Sequence, residues 1–294
     1  MRSSHGSRSL RLRNQRKNSF SEVLGIMAIK DPRIDGGKAF DWGRTSADYA
    51  KFRDIYPKEF YEKIVRLGLC VKGQSVLDLG TGTGVLPRNM YDFGADWTGT
   101  DISEEQIKQA KRLSEGMNIR YFASPAEKLD FPEGSFDVIT ACQCFWYFNH
   151  ETLVPILHRM LKENGRLLIL SMEWLPFEDK IAEASEKLVL KYNPLWSGAG
   201  EVEKPIAIPE CYSRGFELEH SEEYRLKVHF MREDWNGRMK SCRGIGASLP
   251  QNKIDEWEAE HIKLLSELAP DEFDVLHFAA VAVLKKKQSF CGNK

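Results

Sequence analysis

Short apolar runs alternate with amphipathic helical stretches through the middle of the chain. The pattern predicts helices that start near residue 85 and at 103–114 and 152–162, and strands at 75–79, 96–100, 119–123, 135–141 and 166–172. Alternation of this kind predicts an α/β fold, with a doubly wound and mostly parallel sheet that binds ligands at the carboxyl ends of its strands. Another helix is predicted before the first strand, with Pro57 at its first position and an end near Gly68.

The first predicted strand runs directly from an acid, Asp78, into a glycine-rich turn that reads G-T-G-T-G over residues 80–84. Glycines allow a tight turn and let a ligand approach the peptide units and the N-terminus of the next helix. A dinucleotide turn reads G-x-G-x-x-G, and Val85 stands where its third glycine would fall. The spacing therefore disfavours an NAD-dependent oxidoreductase, which stays open as the rival enzyme class.

A second acid, Asp101, closes the next predicted strand, 21 residues after Gly80. A carboxylate at the tip of that strand can accept hydrogen bonds from both hydroxyls of a ribose. Ser103 and Gln106 then have the spacing of a capping box, which predicts the start of a helix. Strand, acid and capped helix together predict a nucleoside-binding edge.

A third stretch, residues 124–139, reads S-P-A-E-K-L-D-F-P and then G-S-F-D-V-I. In this order, the three motifs resemble those of the class I S-adenosylmethionine-dependent methyltransferases. The resemblance is to the branch of the ubiquinone, menaquinone and trans-aconitate enzymes, which carry the methyltransferase type 11 domain. It implies S-adenosylmethionine as the cofactor and a Rossmann-like sheet of seven strands with an antiparallel edge.

The family places cofactor contacts at positions that this chain matches. The glycine turn would pack against the methionine part and the ribose, with Asp78 facing the ammonium through water. Pro125 stands where many relatives carry an Asp for the adenine amino group, so Ser124 or the main chain would take that part. The implied cofactor residues are Asp78, Gly80, Gly82, Gly84, Asp101, Ile102, Ala126, Glu127 and Gln143, joined by Tyr49 and Arg53.

Two further segments extend the resemblance. Residues 49–57 match the family's N-terminal Y-x-x-x-R-x-x-Y-P flap, so Arg53 would pair with the cofactor carboxylate and Tyr49 would cover the methyl group. A solvated helix charge is the alternative for Arg53. After the fourth strand, Trp146 stands where relatives have a His. Trp146 and Tyr147 would face the sulfonium or an apolar acceptor, or would belong to the core.

Acceptor contacts are predicted after the fourth and fifth strands and in the later insertions. Glu173 and Trp174 stand at the end of the fifth strand, and Arg238 and Arg243 could meet an acidic substrate. The alternative for each is a structural or surface residue. Trp146 is the third substrate candidate, and Tyr147 is the candidate base or orienting group. The predicted function is methyl transfer to a small-molecule acceptor, without a metal. A cofactor-binding regulator that has lost turnover is the non-enzymatic alternative.

The predicted organisation is one elaborated domain. It consists of a basic tail at 1–26, a flap at 27–55, a cofactor-binding core at 56–174, and lid helices with antiparallel edge strands at 175–294. The tail carries six basic residues against Glu22, and we expect it to be disordered. It could be a leader, an organellar transit peptide or added sequence. The edge strands are expected near 223–230 and 276–285.

Composition narrows the function classes. A formal charge of −1 argues against a nucleic-acid binder with a broad positive surface. The longest apolar runs fall far short of the ~20 residues that a membrane span requires. Six scattered cysteines indicate no disulfide framework, so a reducing cytoplasm is the expected compartment. The spacing of Cys142 and Cys144 is too short for a zinc site. The oligomeric state is left open.

Overall fold

The structure is a computed structural model that describes residues 28–290, so the predicted basic tail at 1–26 lies outside the described residues. Its strands are β1 Ser75–Leu79, β2 Asp96–Asp101, β3 Arg120–Ala123, β4 Phe136–Cys142, β5 Leu161–Trp174, β6 Phe216–Met231 and β7 Glu272–Lys286. They form one sheet in the order β3-β2-β1-β4-β5-β7-β6. The first five are parallel, and β7 pairs antiparallel with both β5 and β6. The predicted doubly wound sheet with an antiparallel edge is confirmed.

Helices cover the sheet and its carboxyl edge. They are α1 Ser46–Phe52, α2 Lys58–Arg66, α3 Val85–Asn89, α4 Glu104–Leu113, α5 His150–Met160, α6 Lys180–Tyr192, α7 Arg232–Lys240 and α8 Gln251–Leu268. α5 begins two residues before its predicted start because the Asn149 side chain caps it, accepting a hydrogen bond from the Thr152 N–H. α2 likewise begins after Pro57, which is its N-cap residue rather than its first helical residue.

The core has two layers because successive residues of a strand point to opposite faces of the sheet. Val76, Val138 and Leu168 join the apolar cluster on one face. Their neighbours Leu77, Ile139 and Leu167 join the cluster on the other face, together with buried leucines of α5. Burying each of these side chains is worth about 1.5–3 kcal/mol, so both layers hold the central strands in register. Within residues 28–290, no helix is long and apolar enough to cross a membrane.

Two insertions beyond the sheet pack on each other. The N-terminal segment, residues 28–55, ends in α1, and α1 packs against α7 of the later insertion. The approach is close, since a Cβ at Gly237 would clash with the Phe52 ring. A glycine at this helical position therefore lets the two insertions meet. α7 and α6 both pack on α8, which ties this layer together.

Candidate active site

A cavity of about 750 Å³ opens at the carboxyl ends of the parallel strands. It lies next to β1 and β4, where the strand order reverses, which is the usual ligand position in a doubly wound sheet. Residues of both insertions also line it. Nine of the eleven predicted cofactor residues are in its wall: Tyr49, Arg53, Gly80, Gly82, Asp101, Ile102, Ala126, Glu127 and Gln143.

The glycine turn shapes one end of the cavity. Gly80 and Gly82 have φ of 57° and 55°, in the left-handed region that favours glycine. A Cβ at Gly80 would lie 2.8 Å from the Cβ of Cys144, which leaves no room for a side chain. At Gly82 the nearest atom is the Tyr49 ring, 3.5 Å from where a Cβ would be. The turn therefore presents bare backbone beneath the N-terminal flap.

Asp101 holds this turn in place. Its Oδ2 accepts a hydrogen bond from the Gly82 N–H at 2.9 Å, and its Oδ1 accepts one from the Ser103 N–H at 2.8 Å. Burial raises the pKa of this carboxyl, while these backbone donors and that of Ile102 act in the opposite direction. Each carboxylate oxygen keeps a further lone pair for a ligand hydroxyl.

The predicted capping box forms only in part. The Ser103 hydroxyl accepts from the Gln106 N–H at 3.3 Å, as expected for an N-cap. The Gln106 side chain, however, donates to the Trp42 carbonyl at 3.1 Å instead of reaching back to residue 103. Asp101 has already taken the Ser103 N–H, so Gln106 is free to tie α4 to the N-terminal segment.

Asp78 and Gly84 stand outside the cavity wall. The Asp78 carboxylate is buried and accepts a hydrogen bond from the Thr140 hydroxyl at 2.6 Å. Burial raises its pKa to about 6. A Cβ at Gly84 would clash with the Tyr121 hydroxyl. Asp78 therefore lies behind the turn, within β1, and Gly84 ends the turn at the start of α3. The contact of Asp78 with the ammonium through water stays a prediction.

The region predicted to border the adenine is built mainly of backbone. Residues 124–126 line the cavity, where Pro125 is extended and Ala126 begins a 3-10 turn, and the Ser124 hydroxyl donates to the carbonyl of Pro125 at 3.2 Å. The Glu127 carboxylate accepts from the Asn149 N–H at 2.8 Å, which joins this segment to the loop after β4. Main-chain groups are therefore available where relatives use an Asp side chain.

The predicted acceptor residues Trp146, Glu173 and Arg238 line the same cavity. Arg238 is 3% exposed, and its guanidinium carbon lies 4.8 Å from the centre of the Trp174 ring. Burial and the neighbouring Arg53 lower the pKa of Arg238 to about 9. Burial raises the pKa of Glu173 to about 7, against the attraction of Arg238 and Arg53. The structure therefore brings Arg238 and Glu173 together, which the sequence predicted only as separate candidates for acceptor contacts.

Tyr147 belongs to a buried polar cluster that joins the two insertions. Arg243 donates to the Tyr147 hydroxyl oxygen at 2.7 Å and forms an ion pair with Asp35 at 2.8 Å. The Ser197 hydroxyl also accepts from Arg243, at 3.0 Å. Burial raises the pKa of Tyr147, so the phenol keeps its proton at neutral pH. This favours an orienting role over that of a base.

Sequence reasoning missed Asp35 and Ser197. Asp35 and Arg243 are 208 positions apart, so no local spacing connects them. Asp35 also has φ of 49°, a left-handed conformation that its sequence, Asp-Gly-Gly, allows but does not require. Arg243, which the sequence grouped with Arg238 as a possible substrate contact, is neutralised by Asp35. The structure thus separates two arginines that looked equivalent.

Comparison with known proteins agrees with this geometry. Residues 77–169 match the family model described as a methyltransferase domain. A demethylmenaquinone methyltransferase of Thermus thermophilus is 34% identical over 51% of this chain and 63% of its own length. A ubiquinone biosynthesis O-methyltransferase of Bordetella avium is 32% identical over 52% of this chain and 65% of its own length. The chain spans about half to two thirds of the length of the curated relatives it matches.

A solved structure extends the fold comparison to most of the chain. The phosphoethanolamine N-methyltransferase 2 of Haemonchus contortus superposes with a TM-score of 0.51 at 19% identity, covering 83% of this chain and 58% of that one. At this identity the likeness supports the fold alone. With the domain match and the cavity at the glycine turn, the chain carries a methyltransferase domain of class I, whose cofactor is S-adenosylmethionine, and it resembles the ubiquinone and menaquinone branch.

Proposed function

We propose that the chain catalyses methyl transfer from S-adenosylmethionine to a small-molecule acceptor. The single observation that carries this proposal is the shape of the cavity. It runs from the glycine turn to Glu173 and Arg238, and residues of both insertions line it. Its volume of about 750 Å³ lies within the range of small-molecule pockets, roughly 300–1,000 Å³. A cytoplasmic location, suggested by the five free cysteines of the described residues, belongs to the same proposal.

The residues of the wall fit the cofactor. Bare backbone at Gly80 and Gly82 gives the close approach that a nucleoside and an amino acid moiety need. Asp101 would hold the ribose hydroxyls through its remaining lone pairs, and Arg53 would pair with the carboxylate. The Arg53 guanidinium stacks on the Tyr49 ring at 4.6 Å, which fixes both side chains at the wall. When bound, S-adenosylmethionine supplies an activated methyl group on a sulfonium.

The chain's own contribution is positioning and exclusion of water. The insertions enclose the acceptor end of the cavity, and holding two reactants in place there can supply about 7–11 kcal/mol of the barrier. Tyr147 would orient the acceptor, because Arg243 fixes its hydroxyl oxygen and leaves the phenol proton free to donate. Trp146, which is 40% exposed, would form an aromatic wall at the entrance.

Titration calorimetry and a product assay test the proposal. S-adenosylmethionine and S-adenosylhomocysteine should bind in the micromolar range and NAD should not, because the turn lacks the dinucleotide spacing. S-adenosylhomocysteine should then accumulate when small-molecule metabolite fractions are added, and not with tRNA. Binding of NAD alone would contradict the cofactor. Methylation of tRNA without any small-molecule acceptor would contradict the acceptor class, and cofactor binding without turnover on any fraction would favour the regulator.

A further inference from the structure

Arg238 is a buried cation that forms no ion pair in the described part of the chain, and the carboxyl that acts on it is Glu173, whose charge is disfavoured by burial. The Nε and Nη1 atoms of Arg238 are buried and have no hydrogen-bond partner within residues 28–290. Arginine is almost always paired when it is fully buried, since an unpaired charge in a protein interior costs several kcal/mol. Its place in the cavity wall makes a bound anion the natural partner.

Each of the other arginine and lysine side chains in the cavity wall has an acidic partner or a proposed role in binding the cofactor. Arg243 is paired with Asp35 at 2.8 Å, and Arg33 with Asp31 at 2.5 Å. Lys204 is paired with Glu201 at 2.6 Å. Arg53 is the cation that the proposed function gives to the cofactor carboxylate. Arg238 therefore remains as the positive group for a second anion in the same cavity.

Glu173 supplies a possible proton acceptor beside this cation. It is the last residue but one of β5, lines the cavity and, within the described residues, forms no ion pair. The groups that act on its carboxyl come from every side: Arg238 on α7, Arg53 after α1, Glu201 in the 193–215 segment, and Gln143 after β4. Burial outweighs the two arginines and raises its pKa to about 7, so a proton can enter and leave it near neutral pH.

The Gln143 side chain hydrogen-bonds Glu173 and favours its ionised form, because this hydrogen bond lowers the pKa of the carboxyl. Gln143 is a hydrogen-bonding neighbour of Glu173, yet its Oε1 is buried without a partner in the described structure. Its amide nitrogen donates one N–H to the Met172 carbonyl at 2.5 Å. The second N–H of that amide can donate to the Glu173 carboxylate, and the ionised carboxylate is the form that accepts a proton.

We propose that the acceptor is a small carboxylic acid that also carries a proton-bearing nucleophile, with Arg238 binding the carboxylate and Glu173 taking the proton from the nucleophile. The inference rests on the proposed function and names its substrate class. The acceptor atom forms a bond to the methyl carbon while the carbon–sulfur bond breaks, and that bond's electron pair stays on sulfur. The proton leaves the acceptor atom for a Glu173 oxygen, so ionised Glu173 and the positive sulfonium are both neutralised.

Binding of simple carboxylates tests the role of Arg238 without turnover. We would titrate benzoate, and methyl benzoate as its uncharged match, into the protein saturated with S-adenosylhomocysteine. Benzoate should bind and raise the melting temperature, and methyl benzoate should bind at least ~10-fold more weakly. Arg238→Gln should weaken benzoate binding by ~10- to 100-fold, and Arg238→Lys should recover part of it, because the charge returns without the guanidinium fork.

Arg33→Gln is the matched control, since Arg33 lies at the same cavity but its side chain is 60% exposed and already paired. It should leave benzoate binding within about twofold of wild type. The affinity for S-adenosylhomocysteine should be the same in Arg238→Gln as in wild type. A parallel loss of both affinities would overturn the proposal by assigning Arg238 to the cofactor carboxylate. Equal binding of benzoate and its methyl ester to the wild-type protein would overturn it even if no variant folded.

The pH profile tests Glu173. With an acceptor found by screening amino, hydroxy and thiol acids, wild-type kcat should rise with pH through about 7, because only ionised Glu173 accepts the proton. Glu173→Gln should lower kcat by ~10²-fold or more, remove that rise and leave benzoate binding intact. Glu201→Gln, in contrast, should keep kcat and move the rise to lower pH, because Glu201 raises the pKa of Glu173.

Failure of the inference can be distinguished from failure of the proposed function. If S-adenosylmethionine does not bind, or no acceptor is methylated, the proposed function itself is wrong. If methyl transfer occurs and Arg238→Gln methylates acceptors with the wild-type kcat/KM, the function stands and the carboxylate assignment is wrong. An unchanged pH profile in Glu173→Gln would likewise remove Glu173 as the proton acceptor.

Discussion

The two ends of the cavity are built in different ways. The cofactor end is made of short local segments: a glycine turn, one strand-terminal acid, and the loop at 124–126. The acceptor end is made of side chains from distant parts of the chain, such as Asp35 in the N-terminal segment and Arg243 after α7. It also holds several ionisable groups away from solvent: Arg238 and His277 are buried, and Glu173 is half-buried. One end therefore depends on backbone conformation, and the other on charge pairing.

This difference has a physical consequence for specificity. A backbone-lined turn fits one ligand shape and tolerates many changes around it, because side chains contribute little to its contacts. A set of buried charges is costly to maintain and is sensitive to each partner. The acceptor end can therefore diverge between relatives that keep the same cofactor, in line with identity that covers only about half of this chain.

The largest expected effect comes from breaking the ion pair at the acceptor end. Asp35→Asn leaves the Arg243 charge buried without its carboxylate, so the free energy of unfolding should fall by about 3–5 kcal/mol. Urea denaturation measures this. Arg33→Gln, which breaks an exposed pair, should cost less than about 1 kcal/mol. Equal losses in the two variants would show that the buried pair does not hold the insertions together.

At the cofactor end, Asp101→Ala should weaken S-adenosylmethionine binding by about 1.5–3 kcal/mol, the usual range for hydrogen bonds to a charged group. The variant also frees the Gly82 N–H, so the upper part of the range is expected. Calorimetry gives the dissociation constant. Asp96→Ala, at the other end of β2, is the control and should bind the cofactor normally. An unchanged constant in folded Asp101→Ala would remove this residue from the site.

These two variants also mark what the sequence can predict. The role of Asp101 is local, because a strand, an acid and a glycine turn fix their own geometry within about 25 residues. Even so, Asp78 and Gly84 fit the same motif but lie outside the cavity wall, where Thr140 of β4 donates to Asp78 and Tyr121 of β3 packs against Gly84.

For the acceptor end, the sequence predicts individual candidate residues but not the contacts between them. Arg238 and Arg243 carry the same charge, are five positions apart, and share the same local sequence context. What separates them is Asp35, which reaches Arg243 and not Arg238, and this contact spans 208 positions. Contacts of that kind depend on how the two insertions pack across the sheet edge. No periodicity or spacing in one sequence carries that information.

A smaller effect is expected from Tyr147→Phe. The variant removes the hydroxyl that accepts from Arg243, so unfolding should become easier by about 1–3 kcal/mol, toward the lower value because Asp35 and Ser197 still accept from Arg243. Turnover should fall, while the dissociation constant of S-adenosylmethionine stays unchanged, because the hydroxyl belongs to the acceptor end. Full turnover in the variant would show that the Tyr147 hydroxyl is not needed and that the cavity walls alone position the acceptor. A weaker affinity for S-adenosylmethionine in the variant would instead assign Tyr147 to the cofactor end of the cavity.

The smallest effect concerns His277, a buried group beneath the acceptor end on β7. Burial lowers its pKa to about 3, against 6.5 for an ordinary histidine, so the unfolded chain binds a proton there below pH 6.5 while the folded chain does not. Stability from this residue is therefore present above pH 6.5 and is lost as the pH falls. Between pH 7 and pH 5.5 the loss should be about 1 kcal/mol.

His277→Phe should remove that loss, because the phenyl ring fills similar space beside Phe230 and does not titrate. The measurement is the free energy of unfolding by urea at both pH values, in wild type and variant. The adjacent Phe278→Leu is the control: it also changes a buried side chain on β7 but no titrating group, so its offset from wild type should be the same at both pH values. If wild type and His277→Phe lose the same stability on acidification, then the unfolded state gains no proton there that the folded state lacks. The acceptor end would in that case tolerate a charge at His277, and the contrast between the two ends of the cavity would rest on its ion pairs alone.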